Sequence, residues 1–312
     1  MSQTRPPEAA DGRGDAGYRH ASYAEAFSEF GTPLFLPRCR GWILRRQIPD
    51  AGRADAISCY PLFVCDRWSA VADDVNLLAG DLVSLTIVTD PFAGVGADDL
   101  RRSFDVVLPF KEHVVVDLTK PLGHSRHHRK YADRALRAFT IERCERPLDF
   151  LGEWVALFDF LARDRGIRGM RAFSPRSFAR QLTVPGVVMF RAFRDGVTAG
   201  LHVWYEQGDV GYSHLAVTSP EGRELMASYA LYAAAFEWFA PRARWLSLGA
   251  AAGTGGRPDD GLSFFKRGWS TDRRPVYICG RVLDAQAYAA LTSGAGSEGA
   301  PYFPAYRRGE FD

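Results

Sequence analysis

Lysine is rare in this chain, and one lysine lies in a setting that suits catalysis. Of the 39 lysines and arginines, only four are lysine. Lys266 follows two phenylalanines directly and lies three residues before Trp269. An ammonium group among apolar side chains is well suited to offset negative charge that develops on an acyl or leaving oxygen. We therefore predict that Lys266 is catalytic and that Trp269 lines the substrate site. The alternative is a solvated lysine beside Arg267.

Two histidines and a tyrosine fall on neighbouring predicted strands. His202 lies in one strand, and Tyr212 and His214 lie in the next, each on the side away from the apolar residues of its strand. A histidine in such a groove can accept a proton from an attacking amine. We predict His214 as a general base and His202 and Tyr212 as substrate-binding residues. The alternative for each histidine is a hydrogen-bonded, half-buried side chain.

A strongly basic segment lies in the middle of the chain. Residues 125–139 have helical periodicity, and a single acid, Asp133, lies nearby. Four cations fall on one face of this predicted helix: Arg126, Lys130, Arg134 and Arg137. Such clusters of like charge attract phosphate groups. We predict that the phosphates of a nucleotide-linked acceptor or of tRNA are bound by Arg126, Arg129, Lys130 and Arg134. The alternative is an arginine-rich surface that pairs with carboxylates from elsewhere in the chain.

Other arrangements lack residues that their chemistry requires. His124 and His128 are four residues apart, but no carboxylate or cysteine completes a ligand set, so we predict no metal. The glycine-rich loop 249–256 lacks the lysine of a phosphate-binding loop, and Pro258 interrupts a dinucleotide-binding pattern. Five cysteines without a C-x-x-C pair predict no disulfide framework.

The composition is that of a globular protein. Of the 312 residues 46% are hydrophobic and 24% are charged, and the formal net charge is +2. These values exclude a largely disordered chain, and the near-neutral charge argues against a dedicated nucleic-acid binder. No uncharged apolar run approaches the ~20 residues that a bilayer requires, and the first residues lack a secretory-signal pattern. We therefore predict a cytoplasmic protein without a membrane span, in an oligomeric state that the composition leaves open.

The order of predicted elements is clearest between residues 139 and 279. Two helices precede three strands that are joined by glycine-containing turns: Val187–Phe193, Val197–Tyr205 and Val210–Val217. A long helix, Glu224–Phe239, then precedes the strand Trp245–Leu248. The full order, β-α-α-β-β-β-α-β-α-β, is typical of the GNAT acyltransferase fold and predicts that residues 139–292 form one mixed α/β sheet.

The segment around Lys266 adds a sequence motif to that order. Residues 261–269, GLSFFKRGW, resemble the G-L-x-x-F-K-x-G-[FW] segment of the FemAB-like (Fem-type) branch of the GNAT superfamily. The resemblance implies a duplicated GNAT-like fold in one chain. We accordingly expect four regions: a flexible N-terminal tail (1–20), a degenerate GNAT-like half (21–138), a better preserved acyltransferase half (139–292) and an aromatic C-terminal tail (293–312).

The same resemblance implies an acyltransferase that works by direct attack. The acyl group would move from acyl-CoA or aminoacyl-tRNA to an amine of a small molecule or of a peptidoglycan precursor. In GNAT folds a cleft opens where two parallel strands separate, here beside Val210–Val217 and Trp245–Leu248. A backbone N–H of Val217 or Thr218 would polarise the acyl carbonyl there. The alternative is a non-catalytic module of the same fold that binds a sugar, a nucleotide-linked ligand or a peptidoglycan fragment.

The segment that would grip a CoA pyrophosphate departs from the GNAT pattern. GNAT loops read [RQ]-x-x-G-x-[GA] ahead of the long helix, where Ser219–Glu224 stands here. Gly222 and Arg223 are the predicted cofactor-binding residues, but Pro220 has no N–H and two glutamates would repel phosphate. The short helix around Lys266 also lacks the tyrosine that many GNAT enzymes use as an acid. These departures favour an aminoacyl-tRNA donor and the near-neutral charge favours acyl-CoA, so both donors stay open.

Overall fold

Eleven strands of the protein form one continuous sheet. The computed structural model describes residues 15–121, 125–250, 261–293 and 302–310. The strands in these residues are β1 (Thr32–Leu36), β2 (Gly41–Gln47), β3 (Ala54–Ser58), β4 (Ser84–Val88), β5 (Val106–Asp117), β6 (Thr140–Cys144), β7 (Val187–Arg194), β8 (Val197–Gln207), β9 (Val210–Thr218), β10 (Trp245–Gly249) and β11 (Asp272–Val282). Their spatial order is β1-β2-β3-β4-β11-β5-β10-β9-β8-β7-β6.

Helices cover both faces of this sheet. In the described residues they are α1 (Ala21–Ala26), α2 (Val71–Leu77), α3 (Ala97–Leu100), α4 (Arg126–Ala138), α5 (Leu151–Arg165), α6 (Pro175–Gln181), α7 (Pro220–Glu224), α8 (Ala227–Phe239), α9 (Gly261–Arg267) and α10 (Ala285–Thr292). Apolar side chains of α1, α5 and α6 pack on one face of the second half, and those of α4 and α8 pack on the other. None of the described helices has the length and hydropathy needed to cross a bilayer.

The two predicted halves exchange strands at the centre of the sheet. β5 comes from the first half, yet it lies between β10 and β11 and pairs antiparallel with both. β11 comes from the second half, yet it also pairs antiparallel with β4. Residues 139–292 therefore do not complete a sheet by themselves, which differs from the expectation based on element order. The division of the chain at residues 138 and 139 stays a prediction.

The predicted three-stranded meander and its parallel neighbour are confirmed. β7, β8 and β9 are successive antiparallel neighbours, and β10 runs parallel to β9. Between β7 and β8 the chain has positive φ at Asp195 (50°) and Gly196 (79°), as a tight hairpin requires. The parallel pairing ends at Ser247 and Tyr212, although β9 continues to Thr218. Beyond that pair the two strands are no longer hydrogen-bonded neighbours, and we call the place where their pairing stops the gap between β9 and β10.

Three local features differ from the sequence-based expectations or add to them. Tyr18, inside the expected tail 1–20, is buried in a 3₁₀ turn against the sheet, so packed structure is present before residue 21. At the other end of the chain, Tyr306 and Arg307 donate hydrogen bonds to Asp55 and fix residues 302–310 to the first half. The expected long helix, 224–239, begins at Ala227, because Met226 adopts a left-handed conformation with φ 64° and separates it from α7.

Candidate active site

Lys266 lies at the end of β10, beside the gap between β9 and β10. It belongs to α9, its exposed fraction is 9%, and its Nζ donates a hydrogen bond to the carbonyl oxygen of Ala250 at 2.7 Å. Gly249, with a φ of 76°, leaves room for this side chain, since a Cβ at that position would stand 3.2 Å from Nζ. The ammonium group is therefore held largely out of bulk water. In this less polar environment its charge acts strongly on neighbouring groups.

His113 on β5 is a second buried polar residue at this point. Its Nδ1 lies 3.4 Å from Oγ of Ser247, the last residue of β10 that pairs with β9. Burial is the main cause that lowers the pKa of His113 to about 3, and the charge of Lys266 is the next. His113 is therefore a neutral ring near pH 7. The sequence does not distinguish His113, because a single histidine in an apolar strand resembles an ordinary core residue.

His202 on β8 also lies close enough to Lys266 to interact with it. Burial first, and the charge of Lys266 second, lower the pKa of His202 to about 3. Its Nε2 is 2.9 Å from Oγ of Ser213, and its ring stacks on Tyr232 with centroids 4.6 Å apart. Its Nδ1 has no hydrogen-bond partner among the described residues. The structure thus brings this predicted substrate-binding residue near Lys266.

His214 has a different environment from the one that its predicted role requires. Its Nε2 is 2.9 Å from Oε1 of Gln181, and its Nδ1 is 3.2 Å from the hydroxyl of Tyr18. Burial lowers the pKa of His214 to about 3. Both ring nitrogens are therefore engaged inside the core, and His214 is not placed to act as the general base.

Tyr212 connects the end of the parallel pairing to a buried carboxyl group. Its hydroxyl lies 3.2 and 3.1 Å from the two carboxyl oxygens of Asp90, and its backbone pairs with Ser247. Burial raises the pKa of Asp90 to about 6, although the hydrogen bond from the N–H of Phe92 opposes the change. A carboxylate with such a pKa is suited to accept and release a proton near neutral pH. In the sequence Asp90 indicates only the end of a strand.

The glycine of the predicted cofactor segment has a packing role. Ser219 caps α7, and its Oγ accepts the N–H of Gly222 at 3.0 Å. A Cβ at Gly222 would stand 2.0 Å from the carbonyl oxygen of Ala199, so close approach of α7 to β8 requires glycine here. The N–H of Gly222 is therefore already used within the helix cap, which is not the arrangement expected for binding a pyrophosphate.

The other predicted cofactor residues fall into two groups. Arg223 pairs with Asp164 at 3.2 Å and lies over the ring of Phe160, so its guanidinium is also engaged. Val217 and Thr218 lie on the part of β9 beyond its pairing with β10, and both pair with β8. Neither residue pairs with β10, and a role of their backbone N–H groups in polarising an acyl carbonyl stays a prediction.

The predicted phosphate-binding cations share one exposed helix, α4. Ser125 caps this helix, and the side chains of Arg126, Arg129, Lys130 and Arg134 are all exposed. No ion pair involves these four side chains in the part of the chain that the structure describes. The alternative expectation, in which carboxylates from elsewhere neutralise them, is therefore not observed there. Their binding of phosphate stays a prediction.

Trp269 packs in the core and does not line the site as predicted. Its exposed fraction is 1%, and its ring contacts His128 and Phe236 with centroids 5.1 and 5.3 Å apart. His128 is itself fixed by the carbonyl oxygen of Phe265, 2.7 Å from its Nε2. Across residues 15–121, 125–250, 261–293 and 302–310, no three His, Cys, Asp or Glu side chains form a metal-binding group. His124 and most of the glycine-rich loop (251–256) lie outside these ranges.

Comparison with solved structures identifies the fold class of the protein. The C-terminal domain (DUF2156) of a putative lysylphosphatidylglycerol synthetase from Agrobacterium fabrum is 16% identical, with a TM-score of 0.58 over 88% of this chain and 92% of that chain. FemX is 14% identical, with a TM-score of 0.63 over 87% and 93%. L-PGS from Bacillus licheniformis is 15% identical, with a TM-score of 0.57 over 86% and 94%. Neither a protein-family model nor a curated protein matches this chain.

These likenesses confirm the expected fold class. The chain has a mixed α/β, duplicated GNAT-like fold with a gap between parallel strands β9 and β10. Within that class its structural neighbours include FemX, as the Fem-type motif around Lys266 leads one to expect. At 14–16% identity the likeness establishes the fold, and the chemistry must be argued from the residues at the gap.

Proposed function

We propose that the protein is a Fem-type acyltransferase that forms an amide between an activated acyl group and an acceptor amine. The observation that carries the proposal is the buried ammonium of Lys266 beside the gap between β9 and β10. His113 and His202, both neutral near pH 7, lie close enough to this charge to feel it. Such an ammonium is suited to stabilise an oxyanion that forms in the gap.

The proposed reaction is a direct attack without a covalent enzyme intermediate. The acceptor nitrogen attacks the acyl carbonyl carbon, the ester C–O or thioester C–S bond of the donor breaks, and the nitrogen loses a proton. Lys266 offsets the negative charge on the acyl or leaving oxygen, and a backbone N–H of Val217 or Thr218 polarises the carbonyl. In place of His214 we assign the proton to Asp90, because its hydrogen-bond partner Tyr212 lies where the pairing of β9 with β10 ends. Burial, which raises the pKa of Asp90 to about 6, suits this carboxyl group to the same role.

The cofactor segment supports an aminoacyl-tRNA donor over acyl-CoA. The N–H of Gly222 and the guanidinium of Arg223 have partners within the chain, so CoA would have to displace them to bind its pyrophosphate there. The proposed acceptor is an amine of a small molecule or of a peptidoglycan precursor, as the Fem-type resemblance implies. A cytoplasmic location belongs to the same proposal, because both donor classes occur in the cytoplasm.

Substitution of Lys266 tests this function. Lys266→Met replaces the ammonium by an apolar chain of similar length and should lower kcat by ~10²–10³, as expected when one charge-stabilising donor is lost. Lys266→Arg should restore only part of the rate, because a planar guanidinium places its charge differently. Transfer of label from a panel of aminoacyl-tRNAs and acyl-CoAs to amine acceptors measures the rate, and thermal denaturation verifies folding.

Lys120→Met is the matched control, because Lys120 is exposed and pairs only loosely with Asp117 at 4.0 Å. This variant should turn over at the wild-type rate. Folded Lys266→Met protein with wild-type turnover would remove Lys266 from the mechanism, and with it the main support for acyl transfer.

A non-catalytic binding module is the second candidate, and one observation favours it. Tyr18 and Tyr23 pack against His214, so the sheet face that carries this histidine is filled by the chain itself. In a binding module Lys266→Met would weaken ligand affinity, and no donor would give turnover. Calorimetry and thermal shift with CoA, acetyl-CoA and UDP-linked muropeptides separate the two functions.

A further inference from the structure

Arg274 on β11 packs into a corner between two aromatic rings, next to Asp90. Its guanidinium carbon lies 4.4 Å from the ring centre of Phe92 and 4.2 Å from that of Trp245, and these two rings are 5.8 Å apart. Its Nη1 lies 3.5 Å from the carbonyl oxygen of Pro91, the residue after Asp90. The three side chains of the corner are half-buried. Contacts with the rings therefore hold this cation in place, while part of it stays open to a ligand.

The charge of Arg274 acts on Asp90 without an ion pair between the two groups. Burial raises the pKa of Asp90 to about 6, and the charge of Arg274 is one of the influences that oppose this rise. Within the described ranges of the chain, no carboxylate forms an ion pair with Arg274. Arg19 also acts on Asp90, but it is paired with Asp66 at 2.9 Å. Arg274 and Asp90 are therefore a cation and an acid that lie near each other but are not paired.

The sheet register places Arg274 on the same face as polar residues of the candidate active site. Arg274 lies directly opposite His113 in the ladder between β11 and β5, so the two side chains share one face. The ring of His113 approaches Ser247, which pairs with Tyr212 in turn. The hydroxyl of Tyr212 lies 3.1 Å from the carboxyl group of Asp90. A row of polar groups thus leads across β5, β10 and β9 from Arg274 to Asp90.

We propose that Arg274 binds an anionic group of the acceptor and so places the amine of the same molecule at Asp90. This inference rests on the proposed function. It narrows the acceptor to a molecule that carries an amine and an oxyanion a few atoms apart, such as an amino acid or an aminoalkyl phosphate. A planar guanidinium can donate two parallel hydrogen bonds to a carboxylate or a phosphate group. Asp90 then takes the proton that the nitrogen loses when it attacks the acyl carbon.

The two charges disfavour ligands that carry charge of one sign alone. Near pH 7 the carboxyl group of Asp90 is largely ionised, because its pKa is about 6, and it repels an anion that has no amine. Arg274 in turn repels an amine that has no anionic group. A molecule with both groups avoids both repulsions, which is why a zwitterionic acceptor fits this site better than a simple anion or a simple amine.

Matched pairs of amines test this assignment by calorimetry in the absence of any acyl donor. The standard amino acids are paired with their amides, which lack the carboxylate, and phosphoethanolamine is paired with ethanolamine. The protein should bind the anionic member of a pair at least about 10-fold more tightly than the neutral member. The pairs that show this preference identify carboxylate or phosphate as the recognised group. Equal affinity within every pair, or no binding of any member, would overturn the proposal.

Substitution of Arg274 locates the recognition. Arg274→Met should weaken binding of the anionic member by ~10–10²-fold, as expected when hydrogen bonds to a charged group are lost, and should leave the neutral member unchanged. Arg274→Lys should recover part of the affinity, because a compact ammonium cannot donate two parallel hydrogen bonds. Equal weakening of both members by Arg274→Met would indicate a structural role and refute recognition of the anion.

Arg273→Met is the matched control. Arg273 precedes Arg274 on β11, so its side chain lies on the other face of the sheet, where it pairs with Glu112 at 3.4 Å. This variant should bind both members of a pair as the wild type does. Turnover separates this inference from the proposed function. Selective binding by a protein that uses no donor would contradict acyl transfer alone, and turnover of amines without preference for an anionic group would contradict the role of Arg274 alone.

Discussion

Replacement of Asp90 by asparagine should change how the stability of the protein depends on pH. Burial raises the pKa of Asp90 from 3.8 to about 6, so its ionisation is disfavoured in the folded state by on the order of 3 kcal/mol. Between these two pKa values the folded protein holds a proton that the unfolded chain has lost. This carboxyl group therefore lowers stability as pH rises from about 4 to about 6, and its full cost persists above that range.

Urea denaturation of the wild type and of Asp90→Asn between about pH 4 and about pH 8 measures this effect. Asparagine keeps an acceptor oxygen for the N–H of Phe92 but carries no charge. The free energy of unfolding of the variant, minus that of the wild type, should rise by on the order of 3 kcal/mol across the range. Asp133→Asn, at an exposed carboxylate, is the control and should give a difference within about 0.5 kcal/mol.

The same variant tests the catalytic assignment of Asp90. If this carboxylate accepts the proton of the amine, Asp90→Asn should lower kcat by ~10²–10⁴, and the limb of the kcat/KM profile near pH 6 should disappear. A stability difference that does not vary with pH would refute the reasoning about burial. Wild-type turnover by the variant would remove Asp90 from the mechanism even if the stability difference is found.

Three further outcomes follow from the buried groups. Burial lowers the pKa of His113, His202 and His214 to about 3, below the unfolded value of 6.5. The urea midpoint of the protein should therefore fall as pH falls from 6.5 to about 3. A midpoint independent of pH would contradict their burial. Gly222→Ala should cost ~2–4 kcal/mol of unfolding free energy, because its Cβ would overlap the carbonyl of Ala199; an unchanged midpoint would mean that α7 can move away. Tyr18→Phe should cost ~1 kcal/mol by removing the partner of His214 Nδ1, whereas the loss of the whole ring in Tyr18→Ala should cost ~3–5 kcal/mol.

Structural features that depend on residues close together in the sequence are predicted well. The hairpin at Asp195 and Gly196 requires positive φ at two successive positions, and such turns have a recognisable composition. Ser174 before Pro175 predicts the start of α6, and its Oγ indeed accepts the N–H of Ser177. The alternation along β8 likewise separates its two faces. Together these local signals are enough to predict the meander and the fold class.

Pairing between distant segments cannot be predicted in this way. Val115 of β5 pairs with Asp272 of β11, and nothing in the apolar pattern of β5 distinguishes β11 from β4 or β6 as a partner. The expected sheet of residues 139–292 is incomplete for this reason. The expected helix 224–239 begins only at Ala227, because a left-handed methionine at its start is not visible in a pattern of apolar spacing.

The residues of the candidate site differ in the same way, because some are evident from local sequence and others only from long-range contacts. Lys266 is found from a local motif, and its burial beside the gap agrees with that motif. Asp90 and His113 become significant only because folding brings them to Tyr212 and Ser247. His214 loses its predicted role for the converse reason, since its two hydrogen-bond partners come from segments far from it in the sequence.

The exchange of β5 and β11 has a consequence for how the chain folds. Each of these strands has its hydrogen-bonded neighbours largely in the other half, so separating the halves would expose strand edges at the centre of the sheet. Neither half therefore resembles an independent domain in the thermodynamic sense, even though the fold is a duplication. Each half needs a strand of the other to complete its part of the sheet, so we expect the two halves to lose their structure together on denaturation.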